Sequence, residues 1–113
     1  MGGYPPLRYG HPMTLVVSGE IRIDPEDFDA AMALVGPFVA TTQAEAGCVA
    51  YDFWIDPRDR GRIRVFEEWT SAETNAAHAA SEHLAAFYAA MATSVRVASV
   101  ELVRYEVSGR GPL

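Results

Sequence analysis

The chain has 113 residues, half of them apolar, and a formal net charge of −6 from 15 acidic against 9 basic side chains. That length and apolar content suit one domain with its own core and leave no room for a second. The basic residues form no cluster able to neutralise a run of phosphates, so nucleic acid is not an expected partner, and the single cysteine, Cys48, excludes an internal disulfide and fits a reducing compartment.

Residues 1–12, MGGYPPLRYGHP, are rich in Gly, Pro and Tyr and read as an N-terminal arm, followed by a single domain over residues 13–113. An arm of this composition is held only where something packs on it, so it is expected against its own domain or a neighbouring subunit. No segment approaches the roughly 20 consecutive apolar residues of a membrane span. Nor does a basic stretch followed by an apolar one open the chain. The expectation is a cytoplasmic protein with no membrane partner.

Residues 13–23, MTLVVSGEIRI, alternate Leu15, Val17, Ile21 and Ile23 against Thr14, Ser18, Glu20 and Arg22, the pattern of a half-buried strand. Asp24 then stands as a helix cap. Pro25 follows at the first helical position, where its missing N–H costs nothing, and Glu26 and Asp27 complement the positive end of the dipole. Phe28, Met32, Val35 and Val39 form one apolar stripe. Gly36-Pro37 should bend or break this helix, and Gly47 should close it in a left-handed conformation.

Residues 48–56, CVAYDFWID, are apolar on both faces, with Val49, Tyr51, Phe53 and Ile55 opposing Cys48, Ala50 and Trp54, so a cover is expected on each side. PRDRGR makes a turn, and IRVFEEW returns as an antiparallel partner. Thr70 with Glu73 reads as a capping box, and Ser81 as the cap of a second short helix reaching Ser94. Alternation over residues 95–107, VRVASVELVRYEV, gives a last strand. The order β-α-β-β-α-β is that of an α+β, ferredoxin-like fold with both helices on one face of a four-stranded antiparallel sheet. The other face would show more apolar surface than soluble monomers carry, so a homodimer with the two open faces together is expected.

On the third strand Ile63, Val65, Glu67 and Trp69 share the face expected toward the helices, and Arg64, Phe66 and Glu68 the other. Glu67 is then a carboxylate among apolar side chains, costly unless paired or protonated. Two readings stand there: a group poised for chemistry, or a strand glutamate that reaches the rim and pairs with an arginine. His78 and His83 are five residues apart, about 140° around a continuous helix. The helical zinc-binding pair is spaced by four, so no metal is expected. Ala76, Ala77, Ala79 and Ala80 leave space beside His78, which either enters a cavity and meets Glu67 or is an ordinary packed or surface imidazole. His83, near a cap, reads as structural.

No G-x-S-x-G elbow is present and Cys48 begins a buried strand, so neither a serine nor a cysteine nucleophile is expected. No G-x-G-x-x-G follows a strand, so no organic cofactor is expected either. What remains is an aromatic-rich pocket drawn from Tyr51, Phe53, Trp54 and Phe66 on the strands, Trp69 at the junction, and Phe87, Tyr88 and Met91 on the last helix, some of them core.

The stretches EAGCVAYDFWID and FEEWTSAETNAAHAASEHLAAF resemble the antibiotic biosynthesis monooxygenase domain family, which includes the quinol monooxygenases. The family pattern is a Glu-x-Gly-Cys before an aromatic strand, Glu-x-Trp, a cap, an Ala-His and a second His five residues on. It is met at Glu45, Gly47, Cys48, Tyr51, Glu67, Trp69, Ser71, Ala77, His78 and His83, within a resemblance that spans Met13 to Val107. This implies a dimeric α+β barrel and oxygenation of an electron-rich aromatic, such as a quinol, an anthrone or a related polycyclic phenol, by O₂ without metal or flavin. Once deprotonated, such a substrate can itself give an electron to O₂. A phenol of pKa about 10 facing an imidazole near 6.5 leaves about 5 kcal/mol to be supplied by stabilising the anion.

Under that resemblance His78 is the base, Glu67 orients it, Trp69 is the wall on which the substrate stacks, and Tyr51, Phe53, Val65, Phe87, Tyr88 and Met91 bind the substrate. Polyketide-oxidising members carry asparagine where this chain has Val65. Haem-degrading relatives carry asparagine, tryptophan and histidine where this chain has Gly19, His78 and Tyr88, so haem degradation is not expected. The alternative is a non-catalytic dimeric module of the same fold that binds a small molecule or serves as a structural partner.

Overall fold

The alternating segments form four strands and the segments of helical period pack on one side of them. The computed structural model describes residues 14–113, so the N-terminal arm lies outside the described residues. Strand β1 (Thr14–Ile23) leads through a 3₁₀ turn (Pro25–Asp27) into α1 (Phe28–Gln43); β2 (Cys48–Asp56) and β3 (Asp59–Trp69) follow, then α2 (Ala72–Ala79), α3 (Glu82–Ser94) and β4 (Val97–Val107). The strands pair antiparallel in the order β2-β3-β1-β4. This is the expected ferredoxin-like α+β fold, with its second helical segment split in two.

The start of α1 differs from the expectation. Asp24 caps only the 3₁₀ turn, its carboxylate accepting the Glu26 N–H at 2.9 Å. The helix begins at Phe28 and buries Ala31, Val35, Phe38 and Thr42, a face rotated from the expected stripe. Phe28 precedes Ala31 by three residues and Val35 by seven and so keeps its place on that face, its ring centroid 4.0 Å from the Arg60 guanidinium. Nor does Gly36-Pro37 interrupt α1. Both residues face solvent, and the carbonyl that the proline leaves without its helical donor belongs to exposed Ala33, where water replaces the lost bond.

At the end of α1 the chain turns through Gly47, whose φ of +80° is the left-handed conformation expected of it. Its carbonyl accepts the Thr70 N–H at 2.9 Å, which ties the start of β2 to the end of β3. Thr70 is thereby held in the strand connection, and the cap of α2 falls one residue later than expected. Ser71 accepts from the Thr74 N–H at 3.1 Å while the Thr74 hydroxyl accepts from the Ser71 N–H at 3.3 Å. Ser81 caps α3 as expected.

Trp69 and Ile63 are among the largest fully buried side chains, and Phe38 of α1 stacks on Phe87 of α3 at 4.0 Å between centroids, joining the helices over the sheet. The outer face has no cover among the described residues. Trp54 is 62% exposed, and Phe66, Val103 and Tyr105 also stand open there, so the second face of β2 lacks the cover its composition called for. Glu68 is the exception. It faces outward but is buried, and Arg110, beyond the end of β4, reaches its carboxylate with Nε at 2.6 Å. No helix among the described residues is long and apolar enough to cross a membrane.

Candidate active site

The sheet register sets Glu67 beside Val17 on one neighbouring strand and Tyr51 on the other, all facing the helices. Glu67 is buried, and its Oε1 accepts the indole N–H of Trp69 at 3.0 Å. The rim pairing with an arginine is not formed here; it occurs at Glu68. Burial raises the Glu67 carboxyl above its ordinary value, against the opposing pull of the Trp69 hydrogen bond and nearby His78.

His78, the buried residue of α2, does not pair with Glu67. Its Nδ1 lies 2.6 Å from Glu45 Oε2. Glu45 sits in the turn between α1 and Gly47, and the same oxygen lies 3.0 Å from Nε2 of His83, which in turn is 3.2 Å from the Thr42 hydroxyl. The two histidines converge because they are not on one helix. The chain breaks at Ala80–Ser81, so the 140° separation of a continuous helix does not apply. The Trp69 indole stacks on the His78 ring at 4.9 Å, and Tyr51 meets it edge-on at 5.1 Å. An ionised carboxylate only accepts hydrogen bonds, so the Glu45 contact assigns the proton to Nδ1 and leaves Nε2 of the neutral ring with its lone pair.

A cavity of about 160 Å³ lies against this group, with Glu67 and His78 on its wall together with Tyr51, Phe53, Val65, Phe87 and Tyr88. A second cavity of about 320 Å³ shares Ile21, Phe87 and Tyr88 with the first and extends it to Met91. Trp69 is not on the wall: it is fully buried, packed behind His78. Trp54 and Phe66 point to the outer face and leave the pocket altogether. The expected pocket omitted Val17, Phe38, Asn75 and Leu102, which also line the first cavity. Sequence reasoning gave Glu45 no role, and its only signal was its place in the Glu-x-Gly-Cys stretch.

Burial and the charge of Glu67 both raise the Tyr51 hydroxyl, with burial the larger effect, so it stays a neutral donor. Burial is also the main reason the Cys48 thiol is pushed up to about 11, which leaves it without nucleophilic thiolate at neutral pH.

The ferredoxin-like α+β domain thus carries on its helix-facing side an aromatic cavity with one imidazole and one carboxylate on its wall. The model of the antibiotic biosynthesis monooxygenase family matches residues 14–90, and the chain belongs to that family. A crystal structure of an antibiotic biosynthesis monooxygenase is similar at 26% identity with a TM-score of 0.73, covering 84% of this chain and 98% of that one. A Pseudomonas aeruginosa protein is similar at 25% identity and 0.70, covering 85% and 93%. A conserved Methanosarcina mazei protein at 19% identity and 0.76, covering 84% and 93%, shares the fold. Among curated proteins, an uncharacterised protein of Synechocystis sp. is 31% identical over 55 residues, which are 49% of this chain and 37% of that protein. The match thus spans little more than a third of that relative's length.

Proposed function

We propose that the protein is a monooxygenase that oxidises an electron-rich aromatic, a quinol, an anthrone or a related polycyclic phenol, with O₂ and no cofactor. The observation that carries this reading is the Glu45–His78 pair set at the wall of an apolar, aromatic cavity. A base held by a third group is the arrangement that general-base catalysis needs.

In this reading the substrate hydroxyl gives its proton to Nε2 of His78, and the Glu45 carboxylate stabilises the imidazolium. Glu67, on the same cavity wall with its Oε1 held by the Trp69 N–H, orients the substrate hydroxyl toward His78. The anion passes one electron to O₂, and the radical pair combines to form a C–O bond. For an anthrone CH₂, loss of the remaining C–H proton then breaks the O–O bond. One oxygen becomes the new carbonyl, and the other leaves as water after taking protons from the site. Trp69 acts through His78, by stacking on it, and not as the substrate's wall. A cavity of about 150 Å³ accepts one benzene ring, so the first cavity takes the reacting ring and the second takes the remainder of a polycyclic substrate.

The protein acts as a homodimer in this reading, its open sheet faces together in the dimeric α+β barrel. The exposed Trp54, Phe66, Val103 and Tyr105 on that face support this. Oxygen consumption with a panel of quinols and anthrones, wild type against His78→Ala, is the test. A rate untouched by the substitution removes His78 from the chemistry. Saturable quenching of tryptophan fluorescence without oxygen uptake replaces the enzyme with a dimeric module that only binds.

A further inference from the structure

We infer that Glu45, His78 and His83 form a binding site for one divalent transition-metal ion of the zinc class, and that the ion and the Glu45···H–Nδ1 hydrogen bond are alternatives. Their ligand atoms all lie within 4.8 Å of one another. Two imidazoles and one carboxylate are a common three-ligand set for Zn²⁺, the fourth position being taken by water. In a tetrahedral site with bonds of about 2.0–2.1 Å the ligand atoms stand about 3.3 Å apart. Glu45 Oε2 is 3.0 Å from His83 Nε2 and 2.6 Å from His78 Nδ1, and the two imidazole nitrogens stand within 4.8 Å of each other, so an ion fits once the two carboxylate contacts lengthen by less than about 1 Å and the imidazoles adjust to about 3.3 Å.

The supports of this cluster are already in place. Gly47 turns the chain that presents Glu45, and the break between α2 and α3 aims both rings at one oxygen. The Trp69 stack fixes the His78 ring plane. The ion has an entry. His83 is partly exposed and lines a surface depression with Leu34, Pro37 and Thr41, which shares Phe38 and Phe87 with the first cavity.

The consequence for His78 is a change of tautomer. With Glu45 alone, Nδ1 carries the proton and Nε2 is the base. A metal ion takes the Nδ1 lone pair, so the neutral ring must carry its proton on Nε2, where it can donate but not accept. Bound metal therefore withdraws the base, a statement that rests on the catalytic reading above, whereas the binding itself does not.

Tag-free protein titrated with Zn²⁺ by calorimetry, and with Co²⁺ followed by its visible absorption, should bind one ion per chain. In folded Glu45→Gln and His83→Gln variants, checked by circular dichroism, affinity should fall by more than the roughly 10–100-fold that loss of an outer partner costs. The chain's third histidine, His11, serves as the control: His11→Gln should bind as wild type does. Long-range ¹H–¹⁵N spectra of the His78 ring should move its proton from Nδ1 to Nε2 as Zn²⁺ is added, whether or not the protein consumes oxygen. Absence of saturable binding, or equal affinity in wild type, Glu45→Gln and His83→Gln, overturns the site. An unchanged His78 tautomer at full occupancy overturns the alternation.

Discussion

Glu45 Oε2 and His78 Nδ1, 33 residues apart in the chain, meet at 2.6 Å beneath the Trp69 indole. The contact sets which imidazole nitrogen is free, so its effect on turnover should exceed its effect on substrate binding. His78→Ala is expected to lower kcat by about 10²–10⁴-fold, the usual contribution of a positioned base. Glu45→Gln should lower kcat by a large part of that with KM little changed. Because the two act as a unit, the double variant should be hardly slower than His78→Ala alone. Steady-state oxygen uptake measures all three, and additive losses would count against a coupled pair.

Glu67 gives a pH-dependent stability. Its folded-state pKa is raised by burial, so its contribution is fully present below the ordinary carboxylate value of about 4.3 and is lost as pH rises through the raised value. Glu67→Gln keeps the acceptor for the Trp69 N–H but cannot ionise. The variant should match wild type below pH 4, exceed it increasingly as pH rises through the raised value, and keep a constant advantage above it. Urea unfolding across that range is the measurement, and a difference that stays constant over the whole range would contradict the assignment.

Gly47 is held at φ +80°, and a Cβ there would stand 2.3 Å from a Thr74 methyl. Gly47→Ala is expected to cost about 1–2 kcal/mol for the backbone alone, with a further loss as Thr74 is pushed from the α2 cap. Unfolding midpoints report the sum. Oxygen uptake should fall as well, because the same turn carries Glu45.

The open sheet face predicts its own disruption. Trp54→Asp with Val103→Asp changes two exposed side chains and no core residue, so the fold should survive. Sedimentation velocity should show a dimer for wild type and a monomer for the double variant at the same concentration. A dimer that persists in the variant places the interface elsewhere.

The chain order of strands and helices and the two faces of β3 were legible because period two is local and the apolar face is nearly continuous. The cap of α2 was ambiguous by one position: Thr70–Glu73 and Ser71–Thr74 both have the cap spacing, and only the long-range bond from the Thr70 N–H to Gly47 separates them. The face of α1 was misread because two stripes of helical spacing pass through Phe28 and Val35, one through Met32 and Val39 and the buried one through Ala31, Phe38 and Thr42. Glu67 and His78 were legible as residues that a cavity would hold. Their partners were not. A pairing across 33 residues depends on a turn and a helix break that together bring Glu45, His78 and His83 to one point, and helical spacing carries no record of either.

The tie between Arg110 and Glu68 bears on the sheet's edges. In the order β2-β3-β1-β4, β4 is an outermost strand of 11 residues with one row of backbone groups unpaired among the described residues, a template on which another strand can add. Glu101, Arg104 and Glu106 along it discourage such growth, and the Arg110–Glu68 pair ties the residues after β4 to β3. Arg110→Ala should therefore show itself first as slow self-association through strand pairing on storage, before any change at the cavity.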